Sequence, residues 1–171
     1  MNTIEKATEA SCDLLAEIGK ISFIESHGSS APLKDIDRYI TGKYTREILK
    51  AELDDAKNIF HLIYYNKQIA GYSKIILNEG ISNLNTKNIT KLDRLFLLKE
   101  FYDLKLGLKL LQFNIELSKK NNQAGMWLFA WKENYRAVRF YEKNGFEVIG
   151  SHDFVLSETH SNPNYQMFLR Y

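Results

Sequence analysis

The chain has 171 residues and a formal net charge of +2, from 23 basic and 21 acidic side chains, and 44% of its residues are hydrophobic. That length suits one ordinary domain, and the mix of apolar and charged residues excludes a disordered or fibrous chain. The near-zero charge gives no reason to expect a nucleic acid partner, the lone cysteine (Cys12) excludes a disulfide framework, and no stretch approaches the ~20 apolar residues of a membrane span.

Thr3 to Ala7 reads as a short strand and Ala10 to Ile21 as a helix, with Leu14, Leu15, Ile18 and Ile21 at helical spacing. The polar run Glu25-Ser26-His27-Gly28-Ser29-Ser30 reads as a loop, and short helices follow over Leu33 to Thr41 and Thr45 to Leu53. Both prolines, Pro32 and Pro163, fall in segments that read as loops. Ile59 to Tyr65 and Gln68 to Leu77, rich in β-branched and aromatic residues, predict a hairpin about an Asn66-Lys67 turn. Asn78 to Asn88 is a polar loop, and Leu92 to Leu98 is apolar enough for a central strand.

Leu104, Leu106, Leu108 and Leu110 alternate as a strand would, but the polar residues decide otherwise. Lys105, Lys109, Gln112, Glu116 and Lys119 form one solvated stripe on a helix, which leaves Leu108, Leu111 and Ile115 on a buried face. Met126 to Trp131 is a continuous apolar run, as in a strand covered on both sides. Asn134 opens a short helix that Asn144-Gly145 closes, and strands around Phe146 to Leu156 and Asn164 to Tyr171 finish the chain. The expected fold is a single α/β (α+β) domain over residues 1–171 with one sheet and helices on its faces. With no apolar secretory core at the N-terminus, a cytoplasmic protein without membrane contact is expected.

The chemistry concentrates between Asp93 and Phe146. Gly107 stands at a helix start, where free backbone N–H groups and the helix dipole can receive an anion. The later helix, Asn134 to Phe146, has the form N-x-x-A-x-x-F-Y-x-K-x-G-F. With this pattern and its strand, turn, helix, strand, helix context, the chain resembles the GCN5-related N-acetyltransferase (GNAT) superfamily. Further segments resemble the bacterial spermidine/spermine N-acetyltransferases of the PaiA type: Leu92-Asp93-Arg94-Leu95-Phe96, Trp127 to Asn134, Gly150-Ser151-His152-Asp153-Phe154, Ile69-Ala70-Gly71-Tyr72 and Tyr44 to Leu53. The resemblance implies a mixed, mostly antiparallel sheet that splays after its fourth strand and holds acetyl-CoA in the opening.

It also implies roles. Backbone groups of Leu95, Phe96 and Leu97 would pair with the pantetheine arm, and amides of Asp103, Leu104, Lys105, Leu106, Gly107 and Leu108 would surround the pyrophosphate. Asn134 and Lys143 would touch the cofactor further along. Tyr141 stands where the family protonates the leaving thiolate, a task for a phenol that keeps its proton at neutral pH. Asp93 would accept the amine's proton through water or hold a cationic substrate. Read from the residues alone, Asn134 serves equally as a helix cap, Lys143 as a cation near a helix end, and Asp93 as a structural partner near Arg94. Phe140, Phe146 and the run from Trp127 to Trp131 read as core.

One segment departs from the family. The usual turn is [Gln/Arg]-x-x-Gly-x-[Gly/Ala], whereas here Tyr102-Asp103-Leu104-Lys105-Leu106-Gly107 keeps only the last glycine. A lysine is costly at the first glycine position if that position needs positive φ, and Asp103 adds negative charge beside a pyrophosphate. The expected acceptor is a small primary amine, with polyamines leading, and its contacts are sought at Glu25, His27, Asp93 and His152. An amino sugar, amino acid or peptide amine is the alternative acceptor, and a non-catalytic acyl-CoA-binding module the alternative function. His27, His61, His152 and His160 lack metal-ligand spacing, so no metal is expected. Met167-Phe168-Leu169 is a strand end through which a homodimer could pair.

Overall fold

In the computed structural model, which describes residues 1–171, the strands are β1 (Asn2–Lys6), β2 (Asn58–Tyr65), β3 (Gln68–Ile76), β4 (Thr90–Leu97), β5 (Gly125–Trp131), β6 (Glu147–Val155) and β7 (Ser161–Arg170). The helices are α1 (Cys12–His27), α2 (Leu33–Lys43), α3 (Arg46–Asp54), α4 (Leu106–Lys120) and α5 (Tyr135–Lys143), with short 3₁₀ turns at Glu9–Ser11 and Lys99–Phe101. All seven strands form one sheet in the order β1-β2-β3-β4-β5-β7-β6. The β2–β3 hairpin turns on Asn66 and Lys67, both at positive φ (48° and 69°), the primed geometry whose twist matches that of its strands.

Every neighbouring pair is antiparallel except β4 and β5, which run parallel and meet only at Thr90↔Met126 and Lys91↔Trp127. Beyond Lys91 the two strands part, so the backbone of β4 from Leu92 to Leu97 faces an opening on one side while β3 holds it on the other.

A bulge shapes that strand. Lys74 is opposite Arg94 and Ile75 opposite Leu92, so Asp93 is the extra residue. The strict alternation of side chains breaks there. Leu92 and Leu95 both pack on the α4–α5 face, with Ile75, Leu111, Met126, Leu128 and Val138. Phe96 packs on the opposite face, with Tyr44, Phe60, Tyr72 and the buried residues of α1 to α3. A separate cluster of Ile89, Trp127 and Phe168 sits under the loop that carries Ile81 and Leu84.

Four details differ from expectation. α1 runs on through His27, because the Ser26 hydroxyl donates back to the Ser22 carbonyl at 2.6 Å and the Phe23 and His27 rings stack one turn apart. Glu25, Ser26 and His27 are therefore helical. α4 presents Leu106, Leu110, Leu111, Asn114 and Ser118 to the sheet, while Leu108 and Ile115 are only partly buried. The rotation is possible because the polar residues find partners: Asn114 Nδ2 reaches Ser73 Oγ at 2.9 Å, and Ser118 Oγ lies 2.6 Å from Thr90 Oγ1. Pro163 lies inside β7 opposite Asp153, one residue before β5 begins to pair at Asn164, so its missing N–H breaks no ladder there. Finally, Met167-Phe168-Leu169 is an internal segment: Met126 to Trp127 and Leu128 on β5 pair along one side, and Glu147 and Val148 on β6 along the other. Met167 and Phe168 are thus paired on both sides, and Leu169 on the β5 side.

Candidate active site

The opening between β4 and β5 continues into a cavity of ≈ 1180 Å³ bordered by α1, α2, α4 and α5. On its α4 side, no backbone N–H from Asp103 to Leu108 donates to another backbone group, because the first helical bond of α4 is Lys109 N–H to Lys105 O. Asp103 and Lys105 are both left-handed, with φ of 66° and 58°. Left-handed residues alternating with right-handed ones are the backbone pattern that can turn successive amides toward an anion, and the dipole of a full-length helix acts in the same sense. The departure at Lys105 thus costs strain, since a left-handed non-glycine residue is disfavoured by roughly 1–2 kcal/mol, but the turn still adopts the left-handed conformation. Gly107 keeps its place for packing: a Cβ there would lie 3.3 Å from the Leu97 side chain.

Lys105, Arg136, Arg139 and Lys143 line the same side of the cavity. The Asp103 carboxylate is 97% exposed and 4.0 Å from Arg136, whose guanidinium also covers the Tyr102 ring at 3.4 Å from its centroid. The negative charge is solvated and countered, and Arg136 straps the turn before α4 to the start of α5. Asn134 caps α5 by accepting the Ala137 N–H at 3.1 Å, so its Nδ2 stays available to a ligand. Leu95, Phe96, Leu97, Leu106 and Leu108 line the cavity as well, whereas Leu104 is exposed outside it.

Tyr141 comes from α5, packs among Phe140, Phe146 and the α4–α5 cluster, and lines the cavity. Burial alone pushes its pKa far above that of an ordinary phenol, which keeps it protonated.

The opposite side is different. Lys74 bridges Glu52 and Asp93, at 3.2 Å to each, Lys91 reaches Asp93 at 2.9 Å, and Arg94 grips Glu52 with two bonds of 2.9 and 2.8 Å. Burial works against the Asp93 charge, but Lys91, then Lys74 and Arg94, hold its carboxyl well below the usual carboxylate range. Glu25 accepts the Lys99 N–H at 2.8 Å and so ties α1 to the end of β4. His27 stacks between Phe23 (4.9 Å) and Trp131 (5.5 Å), and burial lowers its pKa to about 4. Tyr39 and Phe154 complete an aromatic wall.

The fold therefore brings together on one cavity nearly every residue expected there, including Glu25, His27, Asp93, Asn134, Tyr141 and Lys143. His152 is not among them: it stacks at 4.5 Å on the Phe129 ring, which does line the cavity, and so stands one ring back from it. The sequence reading missed Arg136 and Arg139, whose only signal is their spacing of three within the α5 pattern, and it missed Glu52 and Lys74, which come from other elements. No group of three or more His, Cys, Asp or Glu side chains is placed to hold a metal ion, and no helix is long and apolar enough to cross a membrane.

The pattern of the Acetyltransferase (GNAT) family matches residues 25–146. The chain belongs to that family, and it is an N-acetyltransferase. Among individual proteins it is 23% identical, over 82% of each chain, to an uncharacterized N-acetyltransferase of the pepI 3′ region of Lactobacillus delbrueckii subsp. lactis. It is 28% identical to a probable spermine N(1)-acetyltransferase of Bacillus subtilis subsp. natto, over 63% of this chain and 74% of that one. The crystal structure of the PaiA N-acetyltransferase of Thermoplasma acidophilum with coenzyme A superposes with a TM-score of 0.81 at 22% identity, covering 100% of this chain and 99% of that one. The splayed mixed sheet is that fold.

Proposed function

We propose that the protein moves the acetyl group of acetyl-CoA to a small primary amine, with a polyamine such as spermidine or spermine as the leading acceptor. The observation that carries the reading is the run of free amides from Asp103 to Leu108 opening on the same cavity as the protonated Tyr141. A thioester bound there would supply an activated acetyl group. The amides and Lys105, Arg136, Arg139 and Lys143 would hold the phosphates, the unpaired edge of β4 at Leu95, Phe96 and Leu97 would hold the amide-bearing arm as an added strand, and Asn134 Nδ2 would reach it further along. Tyr141 gives its proton to the departing sulfur.

Asp93 contributes a fixed negative charge, because a carboxylate held by three cations gives up its ionised form only in strong acid. It attracts and orients the acceptor and takes no proton from it. The polyamine reading rests on the likeness to the probable spermine acetyltransferase and to PaiA. A second acceptor class is favoured by the lining itself: on the α1–α2 side, Glu25 and Asp93 stand against Lys43, Lys91 and Arg94. That balance suits an amine with a carboxylate of its own, an amino acid or a peptide. An amine panel read by CoA release tests both. Turnover of spermidine or spermine above all amino acids and peptides is the expected result, the reverse ranking selects the second class, and no turnover with tight acetyl-CoA binding defeats the transferase reading.

A further inference from the structure

Transfer to an amine needs two proton movements: one onto the leaving sulfur, and one off the nitrogen as the C–N bond forms. Tyr141 provides the first. Asp93 is the wrong group for the second, since three cations hold its charge. The cavity offers one imidazole, His27.

His27 ends α1 and lines the cavity from the face opposite Tyr141: its ring lies on Phe23 and on Trp131, whereas Tyr141 packs into the α4–α5 cluster beyond the sheet. The opening between β4 and β5 lies between them. The Ser26 hydroxyl has one proton and donates it to the Ser22 carbonyl at 2.6 Å. The remaining contact, 2.7 Å to His27 Nδ1, then makes the serine oxygen the acceptor, so Nδ1 carries the hydrogen and Nε2 presents a lone pair. The two rings fix the imidazole plane. Glu25, the charged residue on the same turn, is spent on the Lys99 amide. No charged group contributes to the lowered pKa, which burial alone produces, and the imidazole stays neutral.

We propose that His27 is the catalytic proton acceptor for the amine. This deepens the acetyltransferase reading and rests on it. The acceptor nitrogen, in its neutral form, donates one N–H to Nε2 and keeps its lone pair for the acetyl carbonyl. As the C–N bond forms, that proton passes to Nε2; as the C–S bond breaks, the Tyr141 proton passes to sulfur. Proton return from the imidazolium through solvent to the tyrosinate restores both groups, so that amine plus thioester gives amide plus thiol with nothing left over. Ser26 is a positioning residue that selects the tautomer.

The test uses the full chain and two readouts. In His27→Phe a ring remains between Phe23 and Trp131 while the acceptor is removed. Acetyl-CoA binding by titration calorimetry is expected unchanged, and kcat is expected to fall by about 10²–10⁴ with little change in KM for the amine. Ser26→Ala is expected to fall between this variant and the parent. Full kcat in His27→Phe overturns the proposal and leaves the transferase reading standing. Independently of turnover, ¹⁵N NMR of the imidazoles at neutral pH is expected to show His27 with its hydrogen on Nδ1; a hydrogen on Nε2, or an imidazolium, overturns the proposal. A parent protein that binds acetyl-CoA yet acetylates no amine overturns both readings together.

Discussion

Where α4 and α5 border the cleft, the groups on offer are backbone amides from Asp103 to Leu108 and the cations Lys105, Arg136, Arg139 and Lys143. Where α1 and α2 border it, they are the rings of Phe23, His27, Tyr39 and Trp131 and a carboxylate already matched with cations. The first wall combines main chain of one short turn with cations from that turn and α5, a set suited to a ligand that never changes. The second is made of side chains from α1, α2, β4 and β5, brought together from separate parts of the sequence. In the proposed reading, recognition of the acetyl donor is thus separated from recognition of the acceptor, and substitutions on one wall should leave the other's ligand untouched.

Tyr141, on the first wall, sets the largest expected effect. Tyr141→Phe should lower kcat by about 10²–10⁴ while acetyl-CoA affinity measured by calorimetry stays the same, because only the transferable proton is lost. A comparable energy is at stake in the network behind the second wall. Glu52→Ala leaves Arg94 and Lys74 buried with too few partners and should cost ~3–5 kcal/mol in denaturant unfolding. The exposed Lys119–Glu116 pair, with side chains 48% and 64% exposed, should cost under ~1 kcal/mol when broken.

A histidine outside both walls sharpens the contrast by pH. His61 is buried against Phe113, and burial, aided by Lys6, lowers its pKa from 6.5 to about 4. The unfolded chain then binds the proton more readily than the folded one, so stability is complete above pH 6.5 and is lost as pH falls toward 4. His61→Phe should remove up to ~3 kcal/mol of that acid sensitivity, seen as a flatter unfolding free energy against pH. If the slope persists in the variant, the acid response belongs to other groups.

Two small effects probe the first wall's backbone. Asn134→Ala should cost ~1 kcal/mol of stability through the lost α5 cap, together with a weaker hold on acetyl-CoA from the lost Nδ2. Lys105→Gly should raise stability by less than ~1 kcal/mol, the relief of left-handed strain being partly offset by the entropy of a freer unfolded chain. Its effect on acetyl-CoA affinity separates backbone from charge: an unchanged Kd shows that the amides hold the phosphates, and a weakened one shows that the ammonium does.

The first wall was the more legible of the two. Local pattern marked the β2–β3 hairpin, the helical stripe of α4, the start and end of α5 and the turn before Gly107, because each depends on residues within about a turn of one another. The second wall was legible only in part. His27 and Glu25 were named as contacts, but in a segment read as loop. Helical continuation through His27 depends on Ser26 bonding back to Ser22 and on Phe23 and Trp131 enclosing the ring. Trp131 is more than a hundred residues away, and nothing near His27 announces it. His152, chosen from its neighbourhood in the sequence, points to Phe129 because the strand register decides its direction.

The sequence by itself therefore determined the class of fold, the turn that opens α4 and the place of Tyr141 on α5, all properties of short contiguous segments whose periodicity and turn chemistry are set by the backbone. Tertiary structure decided the rest. The β4 bulge places Asp93 among cations from β3 and β4, Glu52 arrives from α3 to complete that network, and the end of α1 carries His27 to the far side of the cleft from Tyr141. Long-range electrostatics and packing set the charge state of both groups, and no local pattern encodes them.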